Sequence, residues 1–281
     1  MFCLRFGAYG AAKQEKTMTS DTLLRNDAGA IATLTMNTPN TLNALSEDML
    51  DALQSQFDSL MQDKTIRVVI LRGTGKAFCA GHNLKEMTAV RQDDDGGKQY
   101  FLDLFAKCTK MMTTIPKLPQ PVICQPHGLA TAAGCQLVAS CDMAVTDEQT
   151  KFGVNGVNIG LFCSTPMVAL SRNIPRKHAF EMLTTGTFIS ASKAQDLGLV
   201  NRVVPPDALD AATQELAELV ASKLGAAVKI GKQAFYEQIQ MPLDQAYDFT
   251  GAVMAENMML TDTEEGIAAF LEKRPPNWSQ T

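Results

Sequence analysis

The amino-acid sequence predicts a mixed α/β protein whose C-terminal end is helical. Apolar, β-rich runs such as residues 68–71 and 121–124 are each followed by a glycine-bearing turn, which is typical of strands. Between such runs, apolar residues recur at spacings of three and four, as they do on one face of a helix. The chain has 281 residues with an apolar fraction of 46%. At this length folding buries roughly 75% of the unfolded surface, so we expect one main domain with a helical tail.

The elements of the first half follow from local patterns. Residues 30–36 alternate apolar and small polar side chains, as a half-buried strand does. Apolar spacing over residues 45–61 predicts a helix, with Ser46 as its N-cap and Glu47 and Asp48 in its first turn. The same reasoning predicts strands at 67–71, 121–124 and 143–146 and helices at 99–113 and 134–141.

The second half is mostly helical. Pro175 precedes a predicted helix over residues 176–183, and Ser190 caps one over residues 191–196. A short strand over residues 200–204 precedes four further helices, at 207–224, 226–238, 243–260 and 263–273. The predicted organisation is a disordered extension over 1–20, an α/β core over 21–206 and a C-terminal helical region over 207–281.

Charge and cysteine content argue against several classes of function. The net charge is −5, and general affinity for nucleic acid comes from lysine and arginine side chains that neutralise phosphates; we expect no nucleic-acid partner. The seven cysteines are odd in number and lack the paired spacing of zinc or redox sites, so we expect reduced thiols and no bound metal. No apolar run is long enough to cross a bilayer, and we expect no membrane partner.

The first seventeen residues differ from the rest of the chain. They carry Arg5, Lys13 and Lys16 against one acid, Glu15, and lack a long apolar centre, which argues against a secretory signal. The prediction is an extension ahead of a natural start at Met18, in a cytoplasmic protein. The alternative is a mitochondrial transit peptide, which would place the protein in the matrix.

Two glycine-bearing turns point to carbonyl chemistry. One runs Phe-Cys-Ala-Gly-His-Asn-Leu-Lys-Glu over residues 78–86, and the other runs His-Gly-Leu-Ala-Thr-Ala-Ala-Gly-Cys-Gln-Leu over residues 127–137. Each follows a predicted strand and so presents backbone N–H groups at a strand exit. Two such donors that converge on one point form an oxyanion hole, which stabilises charge developing on a carbonyl oxygen; one donor contributes ~2.7–4 kcal/mol.

Together with Asn-Ala-Leu-Ser at residues 43–46 and Glu-Gly-Ile-Ala-Ala-Phe-Leu-Glu-Lys-Arg at residues 265–274, these turns resemble the enoyl-CoA hydratase/isomerase (crotonase) family. The resemblance implies a superhelical spiral of ββα units and a thioester oxygen held by two backbone N–H groups, which fall on His82 and Ala133. It also implies contacts to coenzyme A from Asn40, Thr41, Leu42, Ala80, Lys85 and Lys273.

The resemblance implies the partners as well. An acyl-CoA thioester is the expected substrate, and no separate cofactor is expected. The helical tail is expected to pack against neighbouring subunits in a homotrimer or a dimer of trimers. The implied activity is that of a lyase or isomerase of fatty acid metabolism, nominally the hydration of a 2-enoyl-CoA.

The chain departs from the family at the catalytic positions. Family hydratases carry two glutamates that activate and deliver water, and their places here are Gln136 and Gly156. Neither residue can be a general acid or base, because glutamine has no titratable proton and glycine has no side chain. Ser164 stands where some family members carry an aspartate. We expect Gln136→Glu with Gly156→Glu to raise hydration.

These departures leave three functions open. The first is a hydratase-like lyase or isomerase; the second is a non-catalytic acyl-CoA-binding protein. The third is a thioesterase whose water is held by Gln136, Asn158 or Ser164. We expect Cys163 to be an inert buried thiol. The imidazole of His82 need not be catalytic, because its backbone is the proposed donor.

Overall fold

The computed structural model describes residues 22–279, so the extension predicted over residues 1–20 lies outside the described residues. Within the described range, nine strands form two sheets. The strands are β1 Leu23–Ala28, β2 Ile31–Met36, β3 Val68–Gly73, β4 Val122–Gln125, β5 Leu129–Thr131, β6 Met143–Asp147, β7 Lys151–Gly153, β8 Ile189–Ser190 and β9 Arg202–Val204.

The larger sheet has the strand order β1-β2-β3-β4-β6-β9. β1 pairs with β2 antiparallel, and the later neighbours pair parallel. Parallel strands are covered on both faces and consist of nearly continuous apolar runs; residues 68–71 of β3 and all of β4 are buried accordingly. The carboxyl ends of the parallel strands lie at one edge, and the two glycine-bearing turns begin there.

The smaller sheet consists of β5, β7 and β8, with β5 parallel to β7 and β7 antiparallel to β8. The sequence patterns do not predict these strands, because two or three residues are too few to show an alternation. They also miss β1, an edge strand with mostly exposed residues.

Eleven α-helices complete the described part of the chain. They are α1 Glu47–Gln62, α2 Leu84–Ala89, α3 Lys98–Thr114, α4 Ala133–Ser140, α5 Pro166–Asn173, α6 Arg176–Thr185, α7 Ala191–Asp196, α8 Leu209–Ala221, α9 Gly225–Gln238, α10 Leu243–Met258 and α11 Thr261–Leu271. Ser46 accepts a hydrogen bond from Met49 N at 3.2 Å, and Ser190 accepts one from Lys193 N at 3.1 Å. Both predicted N-caps are therefore confirmed, and α2 is an addition to the prediction.

The core lies in two layers, one on each face of the larger sheet. The larger hydrophobic cluster joins Leu34 and Leu71 to residues of α1, α3 and α4. The smaller cluster joins Ile70 and Ile123, on the opposite face, to Leu216 of α8. Successive residues of a strand point to opposite faces, so β3 contributes to both layers. α8, which the sequence places in the C-terminal region, thus covers the second face of the sheet.

α10 and α11 extend from this body with large apolar side chains in solvent. Ala246 is the only buried residue of α10. Leu243, Tyr247 and Met254 on the same helix are 76%, 74% and 64% exposed. Among the residues described, no helix is both long and apolar enough to cross a membrane.

A buried ion pair anchors α9 to the region of β4 and β6. Lys232 Nζ lies 2.6 Å from Asp142 Oδ2 and also donates to the carbonyl oxygens of Ile115 and Gln120. Tyr236 OH donates to Asp142 Oδ1 at 2.8 Å. Burial lowers the pKa of Lys232, against the attraction of Asp142, which raises it.

Candidate active site

The first glycine-bearing turn lies between the start of α1 and β5. Cys79 N donates to Leu129 O at 3.1 Å, and Cys79 O accepts from Thr131 N at 3.0 Å. On the other side of the turn, Leu45 N donates to Gly81 O at 2.8 Å. These backbone bonds hold the turn in register with the strand that leads into the second turn.

Gly81 allows the two turns to meet. Its φ is +90°, and a Cβ atom built on it would lie 2.9 Å from Ala132 Cβ and 3.3 Å from Ala133 N. A positive φ and a close backbone approach both favour glycine. The backbone of Gly81, which leads into His82, therefore passes close to Ala133 N, and the two turns that carry the predicted donors are adjacent.

The second turn is sharp because of a strained residue. Ala132 has φ 51° and ψ −120°, and a residue without glycine's freedom in such a region costs of order 1–3 kcal/mol. The turn carries the chain from β5 into α4, which begins at Ala133 with helical backbone. Ala133 therefore has ordinary helical backbone, and the strain falls on Ala132.

Both donor groups are free of protein acceptors in the described part of the chain. His82 N makes no hydrogen bond to backbone or side chain, and Ala133 N is at the first position of α4, where an N–H has no acceptor within the helix. A Cβ atom on Gly134 would overlap Cys79 O, so α4 starts in contact with the first turn. The helix directs the positive end of its dipole toward this point.

The imidazole of His82 is held beside the donors. Its Nδ1 atom lies 3.3 Å from Leu45 O, and its ring meets Phe105 of α3 edge to face, with centroids 5.6 Å apart. The other ring nitrogen, Nε2, is buried and has no hydrogen-bond partner in the described structure. Burial lowers the pKa of His82, and the Leu45 carbonyl opposes this.

Gln136 lies on α4, three residues after Ala133, and is 6% exposed. Its Oε1 atom is buried without a hydrogen-bond partner in the part of the chain described. This oxygen therefore caps no helix in the described structure, and its hydrogen-bonding capacity is unused.

Gly156 is buried in a short 3-10 turn, residues 155–159. A Cβ atom there would collide with the carbonyl oxygen of Leu161 and lie 2.9 Å from Cys163 Sγ. The expectation that Gly156→Glu restores activity does not suit this geometry, because a backbone carbonyl occupies the space that the side chain needs. Leu161 N also donates to Gly156 O at 2.9 Å, which holds that carbonyl in place.

The other polar candidates have structural contacts. Burial raises the pKa of Cys163, as expected for an inert thiol. Ser164 is exposed, and its hydroxyl donates to Phe162 O at 3.4 Å. Asn158 donates to Gly186 O at 3.3 Å. None of these contacts involves His82 or Ala133.

Two of the expected coenzyme A contacts adjoin each other. Ala80 N donates to Leu42 O at 3.0 Å. Leu42 has φ 56° and follows the exposed residues Asn40 and Thr41 in a short 3-10 turn. This set therefore forms a surface loop beside the first turn.

Asn43 is a residue of this region that sequence reasoning misses. It is fully buried; its Oδ1 accepts from Thr38 N at 2.9 Å, and its Nδ2 donates to the carbonyl oxygens of Thr74 and Ala77 at 2.8 and 2.9 Å. One carboxamide thus joins the loop before α1 to the chain that leads into the first turn. The motif Asn-Ala-Leu-Ser contains this residue, but its partners lie too far along the chain to be read from it.

The basic candidates remain exposed. Lys85, in α2, and Lys273, after α11, have exposed side chains, and no ion pair joins either to the described residues. Arg274 differs, since it pairs with Glu265 and Glu272 at 2.6 Å each. Among residues 22–279, no hydrogen bond or ion pair joins Lys273 to Lys85. Among residues 22–279, no group of histidine, cysteine and carboxylate side chains could hold a metal ion.

Comparisons with known proteins agree with this architecture. The family model described as enoyl-CoA hydratase/isomerase matches residues 26–281. A relative from Xenopus laevis, enoyl-CoA hydratase domain-containing protein 3, mitochondrial, is 45% identical over 260 residues, which cover 92% of this chain and 86% of the relative.

Two solved structures have the same fold over most of their length. An enoyl-CoA hydratase from Mycobacterium smegmatis is 51% identical with a TM-score of 0.88, over 92% of this chain and 99% of its own. Human enoyl coenzyme A hydratase domain-containing protein 3 is 43% identical with a TM-score of 0.87, over 92% of this chain and 100% of its own. The predicted crotonase-like fold with C-terminal helices is confirmed.

Proposed function

Because the chain belongs to the enoyl-CoA hydratase/isomerase family, we propose that it binds acyl-CoA thioesters. The thioester carbonyl oxygen accepts hydrogen bonds from the backbone N–H groups of His82 and Ala133. One observation supports this proposal: the backbone of Gly81, which precedes His82, lies close to Ala132 and to Ala133 N. The exposed loop with Leu42 and Ala80 and the side chain of Lys85 would meet the coenzyme A part.

Calorimetry with butyryl-CoA tests the binding. Gly81→Ala would push its methyl group against Ala132 Cβ and Ala133 N, so we expect the Kd to rise about tenfold, the value of one hydrogen bond of roughly 1.4 kcal/mol. Gly29→Ala is the matched control, because Gly29 also has a positive φ, +59°, but has open space around it. A folded wild-type protein that binds no CoA ester would overturn the proposal.

We propose further that binding and polarisation of the thioester outweigh hydration in this chain. A hydratase needs a carboxylate pair, and the positions concerned hold a neutral carboxamide and a glycine without room for a side chain. The structural relative named enoyl-CoA hydratase supports the competing hydratase function. A hydration assay with crotonyl-CoA separates the two, and we expect a slow or undetectable rate.

Thioester hydrolysis has less support. Of the three residues that could hold its water, Asn158 and Ser164 are bonded to the carbonyl oxygens of Gly186 and Phe162. Gln136 alone keeps an unpartnered buried oxygen. Release of free coenzyme A from butyryl-CoA, abolished by Gln136→Ala, would favour this function.

Location and assembly complete the proposal. The Xenopus relative is named mitochondrial, which favours the mitochondrial matrix over the cytoplasm for this protein; a fluorescent fusion at the C-terminus, co-imaged with a matrix marker, tests it. The exposed apolar residues of α10 and α11 support assembly into a homotrimer or a dimer of trimers.

A further inference from the structure

The side chain of His82 has a buried ring nitrogen, Nε2, without a hydrogen-bond partner in the described structure. We infer that its imidazole is the proton acceptor of this site, with Nε2 removing a proton from the carbon next to the thioester carbonyl. The inference rests on the proposed binding of acyl-CoA. It concerns the residue that moves the proton in a chain where the two usual glutamate positions hold Gln136 and Gly156.

The tautomer of the ring follows from one contact. Leu45 O lies 3.3 Å from Nδ1, and a carbonyl oxygen can only accept, so the hydrogen of a neutral imidazole belongs on Nδ1. Nε2 then carries a bare lone pair. That atom is buried without a donor in the described structure, and leaving a buried acceptor unpaired costs roughly 1–3 kcal/mol. Protonation of Nε2, or a hydrogen-bond donor placed at it, removes that cost.

The other titratable side chains on the neighbouring helices are less suited than His82 to act as the proton acceptor. The ring contacts Leu45 O, just before α1, and Phe105 of α3. Titratable side chains on α1, α2 and α3 include Glu47, Glu86, Tyr100, Lys107 and Cys108. Lys107 pairs with Asp51 at 2.9 Å, and Glu86 accepts from Asn83 Nδ2 at 2.7 Å. Burial raises the pKa of both Tyr100 and Cys108 to about 12, so neither is ionised near pH 7. Burial lowers the pKa of His82, and the hydrogen bond with Leu45 O opposes this.

The other candidates near Gly156 lack the property that the step requires. The thiol of Cys163 has its pKa raised by burial, so it is protonated at neutral pH. In the described part of the chain the hydroxyl of Ser164 donates to Phe162 O and makes no hydrogen bond to a basic side chain. Neutral imidazole is a competent base near pH 7, and burial keeps His82 in that form.

The step balances without any further reagent. The Nε2 lone pair forms an N–H bond as the Cα–H bond of the acyl group breaks. The electron pair of that bond forms a carbon–carbon double bond, and the carbonyl π pair moves onto the oxygen. The resulting enolate oxygen accepts hydrogen bonds from the N–H groups of His82 and Ala133, and these bonds stabilise its negative charge. The imidazolium then returns its proton to Cα. The inference therefore assigns two roles to one residue: the backbone N–H of His82 binds the carbonyl oxygen, and its ring takes the proton from the neighbouring carbon.

Exchange of the α-protons of butyryl-CoA in D₂O, followed by mass spectrometry, measures this step. We expect His82→Gln to slow exchange by ~10²–10⁴-fold, the usual contribution of general base catalysis, while the Kd for butyryl-CoA stays near the wild-type value because the backbone donor remains. His178→Gln is the control. It removes another of the three histidines, one that faces Glu181 on the surface of α6 at 3.7 Å, and should change neither quantity.

The pH profile adds a readout that a purely structural role would not move. Burial lowers the pKa of His82 from its ordinary value of 6.5. The exchange rate of the wild-type protein should therefore increase with pH, with an inflection below pH 6.5. His82→Asn serves if the glutamine variant does not fold. Binding with no exchange in the wild type, or exchange that survives both His82 variants, overturns the inference and leaves the proposed function intact. Absence of binding overturns the proposed function itself.

Discussion

Gln136 matches a glutamate in size but has no proton to transfer. Its buried, unpartnered Oε1 marks a place where Gln136→Glu would set a carboxylate beside the start of α4. We expect this change to raise crotonyl-CoA hydration, by no more than roughly 10²-fold, because a lone carboxylate must serve as base and then as acid. Loss of the enoyl-thioester absorbance measures the rate.

Gln240→Glu, which adds the same charge at an exposed position after α9, is the control for this experiment. Gly156→Glu should lower rather than raise the rate, since its Cβ meets Leu161 O. A rapid wild-type rate that Gln136→Ala leaves unaltered would show that hydration uses a different proton carrier.

The burial of His82 also has a consequence for stability. Its folded-state pKa lies below the ordinary 6.5, so below pH 6.5 the unfolded chain takes up a proton that the folded protein resists. The free energy of unfolding should therefore fall as the pH drops from 7 toward 5. Urea denaturation at several pH values should show a shallower fall for His82→Gln and an unchanged one for His178→Gln. Equal slopes in all three proteins would contradict the burial of the ring.

Among the elements, α9 depends on the ion pair of Lys232 with Asp142. The side chains are 5% and 12% exposed, and removing one partner of a buried pair costs about 3–5 kcal/mol because the other charge stays buried. We expect Asp142→Asn to lower the free energy of unfolding by about 3 kcal/mol in urea denaturation. Asp51→Asn breaks the exposed pair with Lys107, at 2.9 Å, and should cost about 1 kcal/mol or less. Similar losses in the two variants would contradict the anchoring role.

How far an element can be predicted depends on where its partners lie in the chain. α7 and its N-cap Ser190 follow from neighbouring residues, and the predicted bounds of that helix agree with the structure. β5 has only three residues and is a strand because it pairs with Lys151–Gly153. No local sequence pattern predicts that pairing. The two turns of the site are readable because their glycines are local signals. The contacts of Asn43 and Lys232 span 31 and 90 residues, and folding alone brings those partners together.

At the scale of the whole molecule, α10 presents an unpartnered apolar face. Leu243, Tyr247, Met254 and Met258 are all more than half exposed, and their spacing places them on one side of the helix. We expect light scattering to report a trimer or a hexamer. Met254→Glu combined with Met258→Glu should shift the protein toward monomer, because charges would be buried in the interface.

Glu256→Lys, on the opposite side of α10, is the control for assembly and should leave the mass unchanged. A stable monomer at micromolar concentration would contradict the assembly.

Because α8 covers one face of the larger sheet, that face is exposed while the protein is being translated. Ile70 and Ile123 leave the ribosome long before Leu216, their partner in the smaller cluster. At roughly 5–20 residues per second, that face of the nascent sheet stays bare for on the order of ten seconds. During this interval the growing chain carries an apolar surface that only its own later segment covers. Messenger sequences that slow translation between β4 and α8 should therefore lower the soluble yield, although the amino-acid sequence is the same.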